Sequence, residues 1–383
     1  MNWELVTAIV FYSIVGILIY LNRDKFEIMQ KIFIVRKTKK GLNFMRSLAK
    51  HKWFWKIFST IAIPVAVYWA LRVGQLLWLN VDGIISGVSG AGVGVVIPGV
   101  RIPGSPIYIP FWQGIIAIGV LAIVHEFAHG IVAVAEGIKI KNTGFGFLAV
   151  IPLAFVEMDE KSLKKASKLS RLRMASSGAF MNICMWLIFS VILVLFFAPF
   201  LSKVTVVDGV NITGVTDELP ADLAGVVEGS MVRSINGVAV PNLTSFTTEI
   251  QKYSPGENLT FNTSTGVYTI ATTENPQNPE TPYLGVMLSQ ETHTAQWALD
   301  KYGEFGIGAF NWFFDLVKWV AMLNFLVGIM NFLPIWALDG GMIFYDLSSY
   351  IIKKQKLRAI LINLLFAFYL TLLLFNLIGP IFY

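Results

Sequence analysis

The sequence predicts a polytopic α-helical membrane protein, with about six transmembrane segments and re-entrant β-hairpin elements, into which a small α+β domain is inserted. Three observations carry that prediction. The 383 residues are 55% hydrophobic with a mean hydropathy of +0.64, too apolar for a soluble enzyme, and several runs reach the ~18–20 apolar residues that a bilayer crossing needs. Of the 30 Lys and Arg residues, 23 fall in three segments, 23–56, 139–173 and 353–358, each beside an apolar run. The composition then switches at about residue 202: residues 203–291 hold ten acids and three bases among short β-like runs and turn residues.

Residues 4–21 are the first span. No basic stretch precedes it and no small-residue cleavage site follows, so it is expected to remain as an anchor. Residues 23–56 carry eleven Lys or Arg against Asp24 and Glu27, and the second span covers about 56–79. In 80–110, Gly83, Gly87, Gly90, Gly92, Gly94, Gly99 and Gly104 are interleaved with Val, Ile and four prolines. No Lys-Ser/Thr pair follows, which excludes a phosphate loop. The pattern predicts a β-hairpin or re-entrant loop, which survives at membrane depth only against protein or a water-filled cavity.

The third span runs from about Phe111 to Ala135. Gly144–Glu157, broken by Pro152, reads as extended chain. Another span covers 174–199, entered by Arg171 and Arg173 and ended by Pro199. Beyond the insert, Tyr302–Val317 alternates glycines and aromatics and is expected to lie along the outer interface, with Val320–Phe332 entering the membrane. Pro334 and the pair Gly340-Gly341 forbid an unbroken helix there, and a last span fills about 359–380. Four regions result: 1–79, 80–200, 201–292 and 293–383. By the positive-inside rule the basic segments are cytoplasmic and the N-terminus and insert are outside. That rule accounts for the basic segments better than a nucleic-acid partner does. The single cysteine, Cys184, excludes an internal disulfide.

The chemistry centres on His125-Glu126-Phe127-Ala128-His129. On a helix the two histidines project from one face and can grip one Zn²⁺, with the glutamate beside the first placed to take a proton from the metal's water. Two of the chain's four histidines lie in this motif, and its neighbours are apolar nearly all round. Ionisable clusters at membrane depth are costly and mark function by default. Catalytic zinc takes three protein ligands and keeps a position for water, and Asp339, at the helix break, is the candidate third. Its other role is to cap the helix that Gly340 opens. Two neutral imidazoles and one carboxylate leave a zinc site at +1, which a bound hydroxide would bring to zero, and a neutral assembly costs much less in a low-dielectric surround than a charged one. Zinc lowers the pKa of its water to about 7. Glu126 is then a general base, with a role confined to orienting a ligand as the alternative.

Together these pieces resemble the site-2 protease family of intramembrane zinc metalloproteases, which pairs H-E-x-x-H with N-x-x-P-x-x-x-x-D-G on a later helix. Here those are His125–His129 and Asn331–Gly340, including Pro334 and Asp339. A G-x-x-x-N motif between them is matched by Gly178–Asn182, although Ala179 stands where proline often follows the glycine. The resemblance implies that Asn182 and Asn331 orient substrate backbone or support the site; helix-to-helix hydrogen bonding is their plainer role. Pro220–Gly237 is similar to part of a PDZ domain, with Ser230 where an Asp is usual. Leu284-Gly285-Val286 looks like its carboxylate-binding loop, coming last as in circularly permuted PDZ domains. The N-terminal spans look closest to the archaeal and eukaryotic branch.

The resemblance implies a zinc endopeptidase that cuts transmembrane segments of proteins already trimmed by another protease, with the lipid bilayer around it and a C-terminal peptide as a possible ligand of the extracytoplasmic PDZ-like domain. An edge at 80–110 or 144–157 could hold the unwound substrate by strand addition. Two other readings stay open. One is a catalytically silent membrane scaffold or chaperone, against which an intact Glu126 argues. The other is a zinc transporter, which needs a path of ligands that these spans lack.

Overall fold

A computed structural model describes residues 3–29, 33–86, 92–102, 107–148, 150–276 and 278–379. The chain divides into two compact units, one of residues 1–193 with 312–383 and the other of residues 194–311.

The first unit opens with α1 (Trp3–Leu21), β1 (Glu27–Met29), β2 (Phe33–Thr38), α2 (Leu42–Leu48) and α3 (Lys52–Ile85). It continues with α4 (Phe111–Ala135), β3 (Ile140–Leu148), β4 (Ile151–Met158), α5 (Glu160–Lys165) and α6 (Lys168–Ile192). Asp159 caps α5 by accepting from Ser162 N–H, and Ser167 caps α6 by accepting from Ser170 N–H. These caps fix where α6 begins after the hairpin, and α6 carries much of the site. A π-helical turn, Leu193–Phe197, then leads into the second unit, whose first helix is α7 (Ala198–Val204).

The strands make one antiparallel sheet in the order β1-β2-β3-β4, so that β4 is an edge. The extended reading of 144–157 matches β3 and β4. The expected hairpin at 80–110 does not form in its described part: α3 runs through Gly83 to Ile85, and beyond residue 91 the described chain makes only the isolated bridge Ile97–Val100. One glycine costs a helix only ~1 kcal/mol, whereas Pro98 and Pro110 each remove a ladder donor. Gly87, Gly90, Gly104, Pro103 and Pro106 lie outside the described residues. Conversely, β1 and β2 fall inside the basic loop, where Phe33-Ile34-Val35 supplies the strand-forming run.

The second unit holds β5 (Thr205–Val215), α8 (Pro220–Leu223), β6 (Met231–Ile235), β7 (Val238–Ala239), α9 (Leu243–Ile250), β8 (Asn258–Thr263) and β9 (Val267–Ala271). β10 (Thr273–Asn275), β11 (Asn278–Tyr283) and β12 (Val286–Thr294) follow, and the unit runs on to residue 311. An antiparallel path β12-β5-β6-β8-β9 carries β7 on β6, and β10 pairs with β11. Its core gathers Val210, Ile212, Val232, Ile235, Phe246, Leu259, Phe261 and Ile270.

The chain continues as α10 (Gln296–Asn331), α11 (Asp339–Ile351) and α12 (Gln355–Ile378). Tyr302–Val317 is helical within α10, and Gly303, at φ 68°, is the one break in the run. Six helices among the described residues are long and apolar enough to cross a membrane, α6 being counted together with its continuation to Val204. Around α6, Leu172, Ala175 and Ala179 pack with Ala66 of α3, Phe332 and Ile343. Small residues at such contacts let helices approach closely, and this cluster sets α11 against α6.

Candidate metal centre

His125 and His129 lie one turn apart on α4, and Asp339 opens α11. The fold brings all three together: Asp339 Oδ2 is 3.2 Å from His125 Nε2 and 3.2 Å from His129 Nε2, and the two Nε2 atoms are 3.1 Å apart. Ligand atoms held tetrahedrally at roughly 2.0–2.1 Å from one zinc lie about 3.3 Å from each other. The triangle therefore has the right size for one small cation. Asp339 Oδ2 is buried without a hydrogen-bond partner, as expected of an oxygen turned toward a metal. Among the described residues this trio is the one His/Cys/Asp/Glu group whose ligand atoms converge in this way.

Each imidazole is held from α6. His129 Nδ1 lies 2.8 Å from Met174 O; a carbonyl only accepts, so Nδ1 carries the proton and Nε2 keeps its lone pair for a metal. His125 Nδ1 lies 3.1 Å from the Asn182 side-chain amide. For Nε2 of His125 to bind metal, Nδ1–H must donate, which requires Asn182 to present its Oδ1. Gly178 makes room for the second histidine, since a Cβ there would stand 2.3 Å from His129 Nε2.

The break before α11 is built by backbone contacts. Phe332, Leu333, Pro334 and Ile335 are buried, and a Cβ on Gly340 would meet Leu333 O at 2.1 Å. Only glycine lets the first turn of α11 lie on this segment. Asn331 donates from Nδ2 to Val327 O in its own helix at 2.9 Å, so its amide is used locally rather than on the triad. Glu126 accepts through Oε2 from Val156 N–H of β4 at 2.9 Å. A cavity of about 460 Å³ touches Glu126, His129 and Asp339, with Met158, Trp336 and Tyr345 also in its walls.

The model of peptidase family M50 matches residues 113–374. The chain belongs to that family. The M50 match bears out the site-2 protease resemblance, indicates a metalloprotease and, with six apolar helices, makes this a multi-pass integral membrane protein. M50 members are zinc metalloproteases, and the trio of His125, His129 and Asp339 suits that metal by donor type and spacing. The chain is 28% identical over 361 residues, 91% of its length and 86% of the relative's, to an uncharacterized protein of Methanocaldococcus jannaschii, compatible with the archaeal branch. Among solved structures it is similar to the PDZ domain of an SdrC-like protein from Listeria monocytogenes, at 26% identity over 21% of this chain and 87% of that one, with a TM-score of 0.20. The corresponding domain from Listeria innocua is 19% identical over 22% and 97%, with a TM-score of 0.19.

In the second unit, Leu284, Gly285 and Val286 border a cavity of about 380 Å³ together with Phe246 and Ile250 of α9. Gly285 has φ +75° and a Cβ there would stand 2.4 Å from Leu219 Cβ, so glycine is required at this turn. Sequence reasoning missed Met174, whose part is played by a backbone carbonyl that leaves no mark in the residue type. It also missed Val156, whose N–H holds Glu126.

Proposed function

We propose that this M50 protein is an intramembrane zinc endopeptidase that hydrolyses peptide bonds within transmembrane segments of other membrane proteins. The observation that carries the reading is the cavity that reaches Glu126, His129 and Asp339 together, beside an open sheet edge. His125, His129 and Asp339 would hold Zn²⁺, which supplies an activated water and polarises the scissile carbonyl. Glu126 is the general base. Its carboxylate is anchored by one hydrogen bond to β4, so it stays beside the cavity while it takes the water's proton and returns it to the leaving amine.

A helical substrate hides its carbonyls in internal hydrogen bonds and must unwind first. The outer edge of β4 can hold the unwound chain by strand addition. Val156 N–H points outward to Glu126, and alternate residues of a strand point the same way; Ala154 therefore offers its N–H and C=O to a substrate strand. The strand whose edge would bind substrate thus also anchors the base, which itself belongs to α4.

In the second unit, the cavity between Leu284–Val286 and α9 sets Phe246, Ile250 and Leu288 beside Thr247, Gln251 and Asn275, a mixed lining that could take both the side chain and the polar backbone of a peptide's end, which supports a PDZ-like role in binding trimmed substrates. The charge pattern supports an extracytoplasmic N-terminus and insert. Zinc-dependent cleavage of a single-span substrate by wild type, and its loss in Glu126→Gln, is the test; equal cleavage by both refutes the mechanism.

A further inference from the structure

Each of the two helices that carry the triad also carries a buried carboxylate seven residues further on. Glu136 follows His129 at the end of α4, and Asp346 follows Asp339 within α11. Seven residues are close to two helical turns, about 10.5 Å of rise, and return to the same face. Asp346 is 2% exposed and the Glu136 side chain 4%.

Both carboxylates are met by arginines of α6. Arg171 donates from Nε and Nη2 to the two oxygens of Asp346, at 2.8 and 2.5 Å, and its Nη1 donates to Ala166 O at 3.0 Å. Arg173 donates from Nη1 to Glu136 Oε1 at 3.0 Å and from Nε to Thr60 Oγ1 of α3 at 2.9 Å. The second Glu136 oxygen accepts from Ser170 Oγ at 2.7 Å. Every one of these polar groups is satisfied, in a geometry that the planar guanidinium fixes in direction as well as distance.

Such pairs are a poor way to gain stability. Taking the carboxylates out of water is costly, and apolar residues of the same volume often serve as well or better. What the two-pronged Arg171–Asp346 pair does supply is register, whereas Arg173 reaches Glu136 through one N–H alone. The same α6 positions His129 through Met174 O and Gly178, and His125 through Asn182. α11 begins just after a broken segment, so the chain before it does not continue its axis.

We propose that Arg171–Asp346 is a positioning pair that locks α11 onto α6 in the register where Asp339 meets the two histidines. The inference rests on reading the triad as a metal site. Arg171 and Asp346 act through Asp339 and touch neither metal nor substrate.

The test uses purified full-length protein in detergent, as wild type, Asp346→Asn and Arg171→Lys. Zinc loss to a chelator and the visible spectrum of the cobalt(II)-substituted protein are read, with melting of the metal-free protein alongside. The pair predicts zinc loss faster by about tenfold or more and altered cobalt bands in both variants. Arg171→Lys keeps the charge and loses the fork, so it decides the matter even where Asp346→Asn does not fold. Zinc loss within twofold of wild type and unchanged cobalt bands in folded Arg171→Lys overturn the proposal, whatever the melting point does. Wild type that takes up neither metal refutes the zinc reading itself; wild type that takes both, beside variants indistinguishable from it, refutes only the positioning role.

Discussion

Replacing Gly178 by alanine puts a methyl group where no atom fits. The new Cβ would stand 2.3 Å from His129 Nε2, 2.7 Å from Cε1 and 2.8 Å from Cδ2. Non-bonded carbon contacts relax at roughly 3.5–4.0 Å, so the ring or the helix must give by about 1 Å. The ring is tied by Nδ1 to Met174 O at 2.8 Å, and that carbonyl belongs to the same α6. Neither part can yield without opening the α4–α6 contact. Overpacking of this kind costs about 1–3 kcal/mol, and the methyl also abuts the nitrogen that would bind the metal. Zinc affinity is expected to fall at least tenfold, about 1.4 kcal/mol, measured by chelator competition on the purified protein. Gly119→Ala on α4 is the control: nothing lies within 4 Å of its Cβ, so zinc affinity stays put. A zinc affinity for Gly178→Ala within twofold of wild type would refute this reasoning.

Asn182→Ala strips His125 Nδ1–H of its partner in a buried place, a loss of about 1–3 kcal/mol; zinc affinity should fall about 10- to 100-fold, and an unchanged value contradicts the proposed amide orientation. Ala154→Pro removes one outward N–H from an edge strand that tolerates proline. It should lower kcat/KM about two- to tenfold, the value of one hydrogen bond, with zinc content intact; unchanged kcat/KM excludes that edge as the clamp. In the second unit, hydrogen bonds from Lys252 at 2.6 Å and Tyr253 at 3.1 Å hold the Glu249 carboxyl below the usual carboxylate range. A depressed carboxyl stabilises the fold above its unfolded pKa, and the contribution fades as pH falls below about 4.5 through the folded value. Acid should therefore lower the melting point of wild type more steeply than that of Glu249→Gln, and parallel curves would contradict the ion pair's role.

The triad was legible because its chemistry is local. His125 and His129 need only helical spacing, and Asp339 stands out as an acid at a helix break. Gly178 and Asn182 came from motif resemblance; the reason for them, room for one imidazole and a partner for the other, needed the packing of α6 on α4. Met174 acts through its backbone, which no side chain announces. Glu136 and Asp346 are visible as acids seven residues after a ligand, yet only the tertiary fold pairs them with arginines of a third helix. In the fold, lysines around Phe33–Val35 masked two strands. The glycines of 80–110 suggested a hairpin, although the prolines among them take away the donors that a ladder requires.

The most direct measurement of the central claim is cleavage of a model single-span substrate in liposomes by wild type, Glu126→Gln and Asp339→Ala, with zinc content read in parallel. The account predicts cleavage by wild type, a rate at least ~10²-fold lower in Glu126→Gln with zinc retained, and reduced zinc in Asp339→Ala. Cleavage by Glu126→Gln at the wild-type rate, or full zinc in Asp339→Ala, would contradict it.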